Sequence, residues 1–182
     1  MRIGDYIGTY TGKQFWPLDP HPEDICIEDI AHALSNICRF NGHTKRFYSV
    51  AEHSLNVANY LSKVKDSSIP LILHGLLHDA AEAYACDIPR PLKRYIQGYK
   101  NMEHAIMDAI CKAFELNSVN SHQAALIAVA DNYILALEAK ELMNNTAGWG
   151  LVDVPVGAKL GHWQNTEIEF IGVFRELKKF AK

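Results

Sequence analysis

Apolar residues recur along most of the chain at the spacing of a helix face. Ile27, Ile30, Ala31, Leu34, Ile37 and Cys38 fall at i, i+3, i+4, i+7, i+10 and i+11, one stripe of an amphipathic helix. Ser49-Val50-Ala51-Glu52 has the form of a capping box and predicts a helix from there to about Lys65. Pro70 opens a segment, Leu71 to about Tyr84, that is apolar nearly all round and so predicts a central, buried helix. Asp87-Ile88-Pro89-Arg90-Pro91 interrupts it, because proline lacks a backbone donor and disfavours helix in the residue before it. Further helices are predicted from about Lys100 to Leu116 and from about Ser121 to Met143. Residues 144–165 hold four glycines and one proline and read as a long loop. A final amphipathic helix over 166–181 sets Ile168, Ile171, Phe174 and Leu177 on one side.

Residues 1–24 depart from this pattern. Thr9-Tyr10-Thr11-Gly12 and the prolines Pro17, Pro20 and Pro22 predict turns, with at most a short extended pair, in a loosely structured arm. No internal repeat is present. The pattern predicts an all-α fold, with 1–182 forming a single compact helical domain.

Composition narrows the class. A chain of 182 residues is one domain at roughly 150 residues per domain. Hydrophobic residues at 48% and charged residues at 21% exclude a disordered or fibrous chain. A formal charge of −3, with no basic recognition helix, argues against a nucleic-acid polymer as partner. No apolar run approaches the roughly 18 residues needed to span a bilayer, so no membrane partner is expected. The N-terminus has no apolar signal core, and Cys26, Cys38, Cys86 and Cys111 form no C-x-x-C pair. They read as reduced, mostly buried residues, and the expected location is cytoplasmic.

Nine histidines stand out, because histidine is the commonest metal ligand. In Leu76-Leu77-His78-Asp79-Ala80-Ala81-Glu82, a histidine and an aspartate sit side by side in an apolar segment, which is costly unless the charge has a partner. A divalent cation is such a partner for imidazole and carboxylate together. Glu82 lies one turn further on, over the same patch. His53 and Asp131 repeat the pattern of a polar residue in an apolar helix. Together His53, His78, Asp79 and Asp131 supply two nitrogens and two carboxylates, enough for one metal with positions open for water and substrate. Arg39, Lys45, Arg46, Arg90, Lys93 and Arg94 cluster in the segments flanking these motifs, where an anionic substrate would dock.

The order H…HD…D resembles the HD-domain phosphohydrolases, and among them the small bacterial 5′-deoxynucleotidases and related phage and prophage hydrolases. Cys38-Arg39-Phe40, Ser49 to Ser54 (SVAEHS), His78 to Tyr84 (HDAAEAY), Asp87 to Lys93 (DIPRPLK) and Ala130-Asp131 carry the resemblance, over roughly residues 10 to 140. It implies an HD-type helical bundle that holds one divalent ion (zinc, manganese, cobalt or iron) on His53, His78, Asp79 and Asp131. It further implies that Glu82 orients or activates the attacking water and that Arg39 binds the substrate phosphate. Asp87 would contact the sugar hydroxyl, and Lys93 would be a second phosphate contact. The aromatic after the arginine would crowd the ribose 2′-hydroxyl; relatives often carry tryptophan there, whereas this chain has Phe40. The implied substrate is a small 2′-deoxynucleotide cleaved at its 5′ phosphoester, and the implied assembly is a homo-oligomer. Release of triphosphate from a deoxynucleoside triphosphate remains an alternative, as does an idle nucleotide-binding regulator.

His43 and Arg46, in the loop before the His53 helix, are further candidates for substrate contact. His74 shares a face with His78 and reads as a core histidine or a support for the ligands. Trp149 and Trp163 read as hydrophobic anchors of the long loop or as a lid over a base. Gly98-Tyr99-Lys100 departs from the GYP element of cyclic-dinucleotide phosphodiesterases at its third residue, which excludes that reading.

Overall fold

A computed structural model describes residues 2–65 and 67–181. The fold is all-α. It comprises α1 (Ile27–Asn36), α2 (Val50–Leu61), α3 (Ile69–Leu77), the single turns α4 (Glu82–Ala85) and α5 (Arg90–Lys93), α6 (Tyr99–Ala113), α7 (Ser121–Leu142) and α8 (Thr166–Phe180). Two short antiparallel strands, β1 (Ile7–Gly8) and β2 (Gln14–Phe15), form a hairpin near the N-terminus. Among the described residues no helix is long and apolar enough to cross a membrane.

The central helix is α2, not the segment beginning at Leu71. It packs against α1, α3, α7 and α8, and its residues from Val50 to Ala58 are all buried. Its polar residues disguise this in the sequence, because Glu52, His53 and Asn56 find their partners inside the protein. Ser49 and Glu52 close the expected capping box, and Asn56 donates to the Tyr48 hydroxyl at 3.1 Å and accepts from Gly161 N at 2.7 Å. The helix stops at Leu61, a turn before the expected end.

The expected helix from Leu71 to Tyr84 is in fact two pieces. α3 starts from a Ser68 cap and ends at Leu77. The chain then tightens, with Ala80 N bonding Leu77 O (2.9 Å), Glu82 N bonding Asp79 O (3.0 Å) and Ala83 N bonding Ala80 O (3.2 Å). With three residues per turn, side chains at i and i+3 eclipse. Asp79 and Glu82 are thereby stacked on one side of the chain.

The N-terminal arm is pinned rather than loose. Phe15 is fully buried, with its ring 3.9 Å from that of Tyr84. Asp29 on α1 accepts from Thr11 N at 2.7 Å and Thr11 Oγ1 at 2.9 Å, anchoring the hairpin turn. α8 covers α1, α2 and α3 with Phe170 and Phe174. Ile168, expected inside, is exposed, because the buried face is centred on the 170/174 pair. Cys86 is exposed, and the other cysteines are half-buried and free, so they are less buried than expected. Residues 144–165 form the expected loop, without helix or strand.

Candidate metal centre and cleft

The capping box fixes where α2 begins and turns His53, on the first turn, into the interior, where it is fully buried. His78 and Asp79 leave the end of α3 beside it. His53 Nε2 lies 3.3 Å from His78 Nε2 and 3.6 Å from Asp79 Oδ2, and His78 Nε2 lies 3.2 Å from that same oxygen. Asp131, on α7, brings Oδ1 to 3.3 Å from His53 Nε2. It stands at the rim of the group, since only His53, His78 and Asp79 converge mutually within 4.8 Å.

The proton arrangement suits this cluster to a cation. His78 Nδ1 faces the Gly75 carbonyl at 2.8 Å, and a carbonyl can only accept. His53 Nδ1 faces the Glu138 carboxylate at 2.6 Å. Both Nδ1 atoms therefore donate, which leaves the two Nε2 lone pairs of the neutral rings pointing at each other. Such a contact is repulsive unless a cation lies between them. Ligands about 2.0 to 2.2 Å from a tetrahedral ion sit about 3.3 to 3.6 Å apart, close to the 3.2 to 3.6 Å found here. Without an ion a proton does the same work: burial lowers the His78 pKa, but Asp79 and its hydrogen bond outweigh that and raise it to about 9. The His53–His78–Asp79 cluster can hold a metal ion.

Glu138 is the residue of this cluster that the motif reading missed. Fully buried on α7, it accepts from His53 Nδ1 on one oxygen and from Arg39 Nε on the other (3.2 Å), which also pairs with Arg39 Nη2 at 3.2 Å. It thus orients a ring of the candidate metal cluster and fixes the Arg39 guanidinium at once. Arg39 Nη1 is left facing Asp79 (3.6 Å) and Asp87 (4.0 Å). The sequence carried a signal: Glu138 lies two turns after Asp131 in an apolar run, Leu135-Ala136-Leu137-Glu138-Ala139. Like Asp131, it is a charged residue set among apolar ones on a helix.

Arg39 introduces a turn in which Phe40 (φ 54°), Asn41 (φ 51°) and Gly42 (φ 77°) are all left-handed. That backbone is costly for a side chain as large as phenylalanine, and such strain gathers at functional sites. The turn forms one wall of a cavity of about 730 Å³. Asp79, Glu82, Asp87, Arg90, Lys93 and Asp131 line its polar part, and Leu135, Met143, Trp149 and Leu151 an apolar part. Burial and the neighbouring Asp79 and Asp87 carboxylates push the Glu82 pKa up to about 9. Glu82 Oε2 is buried without a hydrogen-bond partner. Burial also raises the Asp87 carboxyl, outweighing the pull of Arg39.

His43 lines the cavity, as expected of a substrate contact, but Arg46 does not. Its guanidinium is held on Glu52 (3.3 Å) and the Phe47 carbonyl (3.0 Å), because Glu52 faces away from the cleft to cap α2. Lys45 bonds the end of α7 and Arg94 lies against Tyr95, so the basic cluster contributes only Arg39, Arg90 and Lys93 to the cavity. Each of the three already faces a carboxylate: Arg39 faces Asp79, Arg90 faces Asp131 (3.5 Å) and Lys93 faces Glu82 (3.5 Å). His74 supports no ligand; its Nε2 meets the Asn117 carbonyl at 2.8 Å. Of the two loop tryptophans, Trp163 packs on the core as an anchor, whereas Trp149 lines the cavity.

No family model matches the chain. Over 149 residues it is 38% identical to the uncharacterized protein YfdR of Escherichia coli K12, covering 81% of this chain and 79% of that protein. Over 137 residues it is 36% identical to the uncharacterized protein RCAP_rcc00048 of Rhodobacter capsulatus, covering 72% of this chain and 70% of that protein. The chain belongs to the family of these two proteins.

Proposed function

We propose that this member of the YfdR family is a divalent-metal-dependent phosphohydrolase that cleaves the 5′ phosphoester of 2′-deoxynucleoside monophosphates. The observation that carries the reading is the meeting of two histidine lone pairs and Asp79 beside an arginine, in a cavity with a charged and an apolar part. His53, His78 and Asp79 would hold the ion, with Asp131 closing the set. Zinc, manganese, cobalt and iron all suit these nitrogen and oxygen donors. A bound divalent ion lowers the pKa of water and neutralises a phosphate oxygen.

The chain's own groups supply the rest. Arg39, its fork set by Glu138, presents Nη1 to the phosphate. The unpartnered Glu82 Oε2 is placed to orient the attacking water, whose proton passes to solvent, and a carboxyl that keeps its own proton near neutrality is suited to deliver it to the departing 5′-oxygen. Asp87 is placed to accept from a sugar hydroxyl. Phe40, its ring 5.5 Å from the Arg39 guanidinium, crowds the sugar beside the phosphate and so favours a deoxyribose.

Charge favours a monophosphate over a triphosphate. Arg39, Arg90 and Lys93 face Asp79, Glu82, Asp87 and Asp131 on the cavity wall, so little positive charge is spare beyond that of the ion. A divalent ion balances a phosphate monoester of about −1.5 to −2 charge, whereas the longer polyphosphate needs cations this wall lacks. Incubation with dAMP and with dATP in manganese or cobalt, followed by identification of the phosphate product, tests the reading. Orthophosphate from dAMP is expected. Triphosphate from dATP would transfer the protein to the alternative activity, and bound metal with no turnover of either would make it an idle regulator.

A further inference from the structure

Part of the cavity wall has no role in phosphate chemistry. Trp149 stands in the 144–165 loop between Gly148 (φ 79°) and Gly150 (φ 65°), and its indole is partly exposed. Its ring centroid lies 6.0 Å from that of Phe40, with the planes inclined by 32°. Phe40 is held facing it by a left-handed backbone that a phenylalanine adopts only at a cost. Leu135, Met143 and Leu151 continue the same apolar wall. Trp163 of the same loop is packed on the core, so the loop is anchored near its far end while Trp149 is left in the cleft.

We propose that Trp149 is the base-recognition residue of this cleft, stacking a planar nucleobase in the gap between its indole and Phe40. This rests on the monophosphatase reading and adds to it the part of the substrate that the metal set and Arg39 do not touch. A ring sandwiched between two others needs about 7 Å between their planes, twice the carbon contact distance of about 3.5 Å. The gap must therefore widen by about 1 Å and the planes become parallel, a movement the flanking glycines allow. Phe40 serves both sugar and base because the two are joined at C1′, so one ring can meet the sugar with its edge and the base with its face. Stacking is tolerant of base identity, and purines with their larger faces gain most.

Wild-type protein, Trp149→Ala and Trp149→Phe are compared in manganese on dAMP, dCMP and 2-deoxyribose 5-phosphate. In Trp149→Ala the KM for dAMP is expected to rise roughly 10- to 100-fold with kcat little changed, because stacking is lost equally from ground and transition states. The rise for dCMP is smaller, 2-deoxyribose 5-phosphate is unaffected, and Trp149→Phe recovers most of the loss. Deoxyadenosine quenches tryptophan fluorescence in the wild type and not in Trp149→Phe. A dAMP KM within about twofold of wild type, or an equal loss on the baseless sugar phosphate, overturns the proposal. If the wild type hydrolyses none of these esters, the monophosphatase reading falls and the quenching alone decides. Quenching that depends on Trp149 then supports the base clamp, and its absence overturns it.

Discussion

Replacing Glu138 with glutamine removes one charge and almost no volume at the point where the metal site and the phosphate cation are tied together. The carboxylate is fully buried; it accepts from His53 Nδ1 at 2.6 Å and Arg39 Nε at 3.2 Å and pairs with Arg39 Nη2 at 3.2 Å. A glutamine can accept on one oxygen only, so its amide nitrogen must confront either the imidazole N–H or the guanidinium. Breaking a buried ion pair on one side costs about 3 to 5 kcal/mol. Arg39 retains Asp79 and Asp87 as partial compensation, which places the expected loss near the lower bound, about 3 kcal/mol by urea denaturation of metal-free protein. Loss of the carboxylate behind a ligating histidine lowers metal affinity by about 10- to 100-fold, read by calorimetric titration. The pH dependence has a defined sign. Burial raises the Glu138 carboxyl, but Arg39 and His53 outweigh it and hold it below its ordinary value of 4.5. Its contribution is thus complete above the unfolded value and is lost as pH falls through the lower folded one. Wild type and Glu138→Gln should differ fully near neutrality and converge in acid. A variant within about 0.5 kcal/mol of wild type at pH 7 with unchanged metal affinity would refute the reasoning.

Asp79→Ala removes the oxygen shared by both imidazoles and should abolish bound metal by elemental analysis together with turnover; retained activity sinks the ligand assignment. Asp29→Asn, which loses charge-assisted bonds from Thr11, should cost about 2 kcal/mol by urea denaturation. Burial raises the Asp29 carboxyl, but the bonds from Cys26 and Thr11 leave it lowered overall, so that deficit should vanish as pH falls through the folded value, and a deficit that persists in acid argues against the anchor. Phe40→Gly relieves a φ of 54° and should stabilise the metal-free fold by about 1 kcal/mol while weakening nucleotide binding; destabilisation of that size would show that Phe40 packing outweighs the strain.

The helical class, the ends of most elements and the side chains of the His53–His78–Asp79 cluster were legible along the chain, because each rests on local physics. A capping box places the start of α2 wherever α2 goes, and a charged residue in an apolar run must find a partner in any packing. The eclipsed stacking of Asp79 and Glu82 was not legible, since periodicity continues unbroken through the point where the chain tightens from 3.6 to three residues per turn. The buried character of α2 was hidden for the opposite reason: its Glu52, His53 and Asn56 look like a solvent face until their partners are known. Charge was the least readable feature. Six basic residues near the motifs look alike in sequence, yet Arg46 faces Glu52, Lys45 the end of α7, and only Arg39, Arg90 and Lys93 the cleft. The sequence by itself determined which polar residues in apolar segments needed a partner and roughly which helices would carry them. Only tertiary packing decided that Glu138 would hold His53 and Arg39 together and that Trp149 would face Phe40, because both contacts join residues about a hundred positions apart.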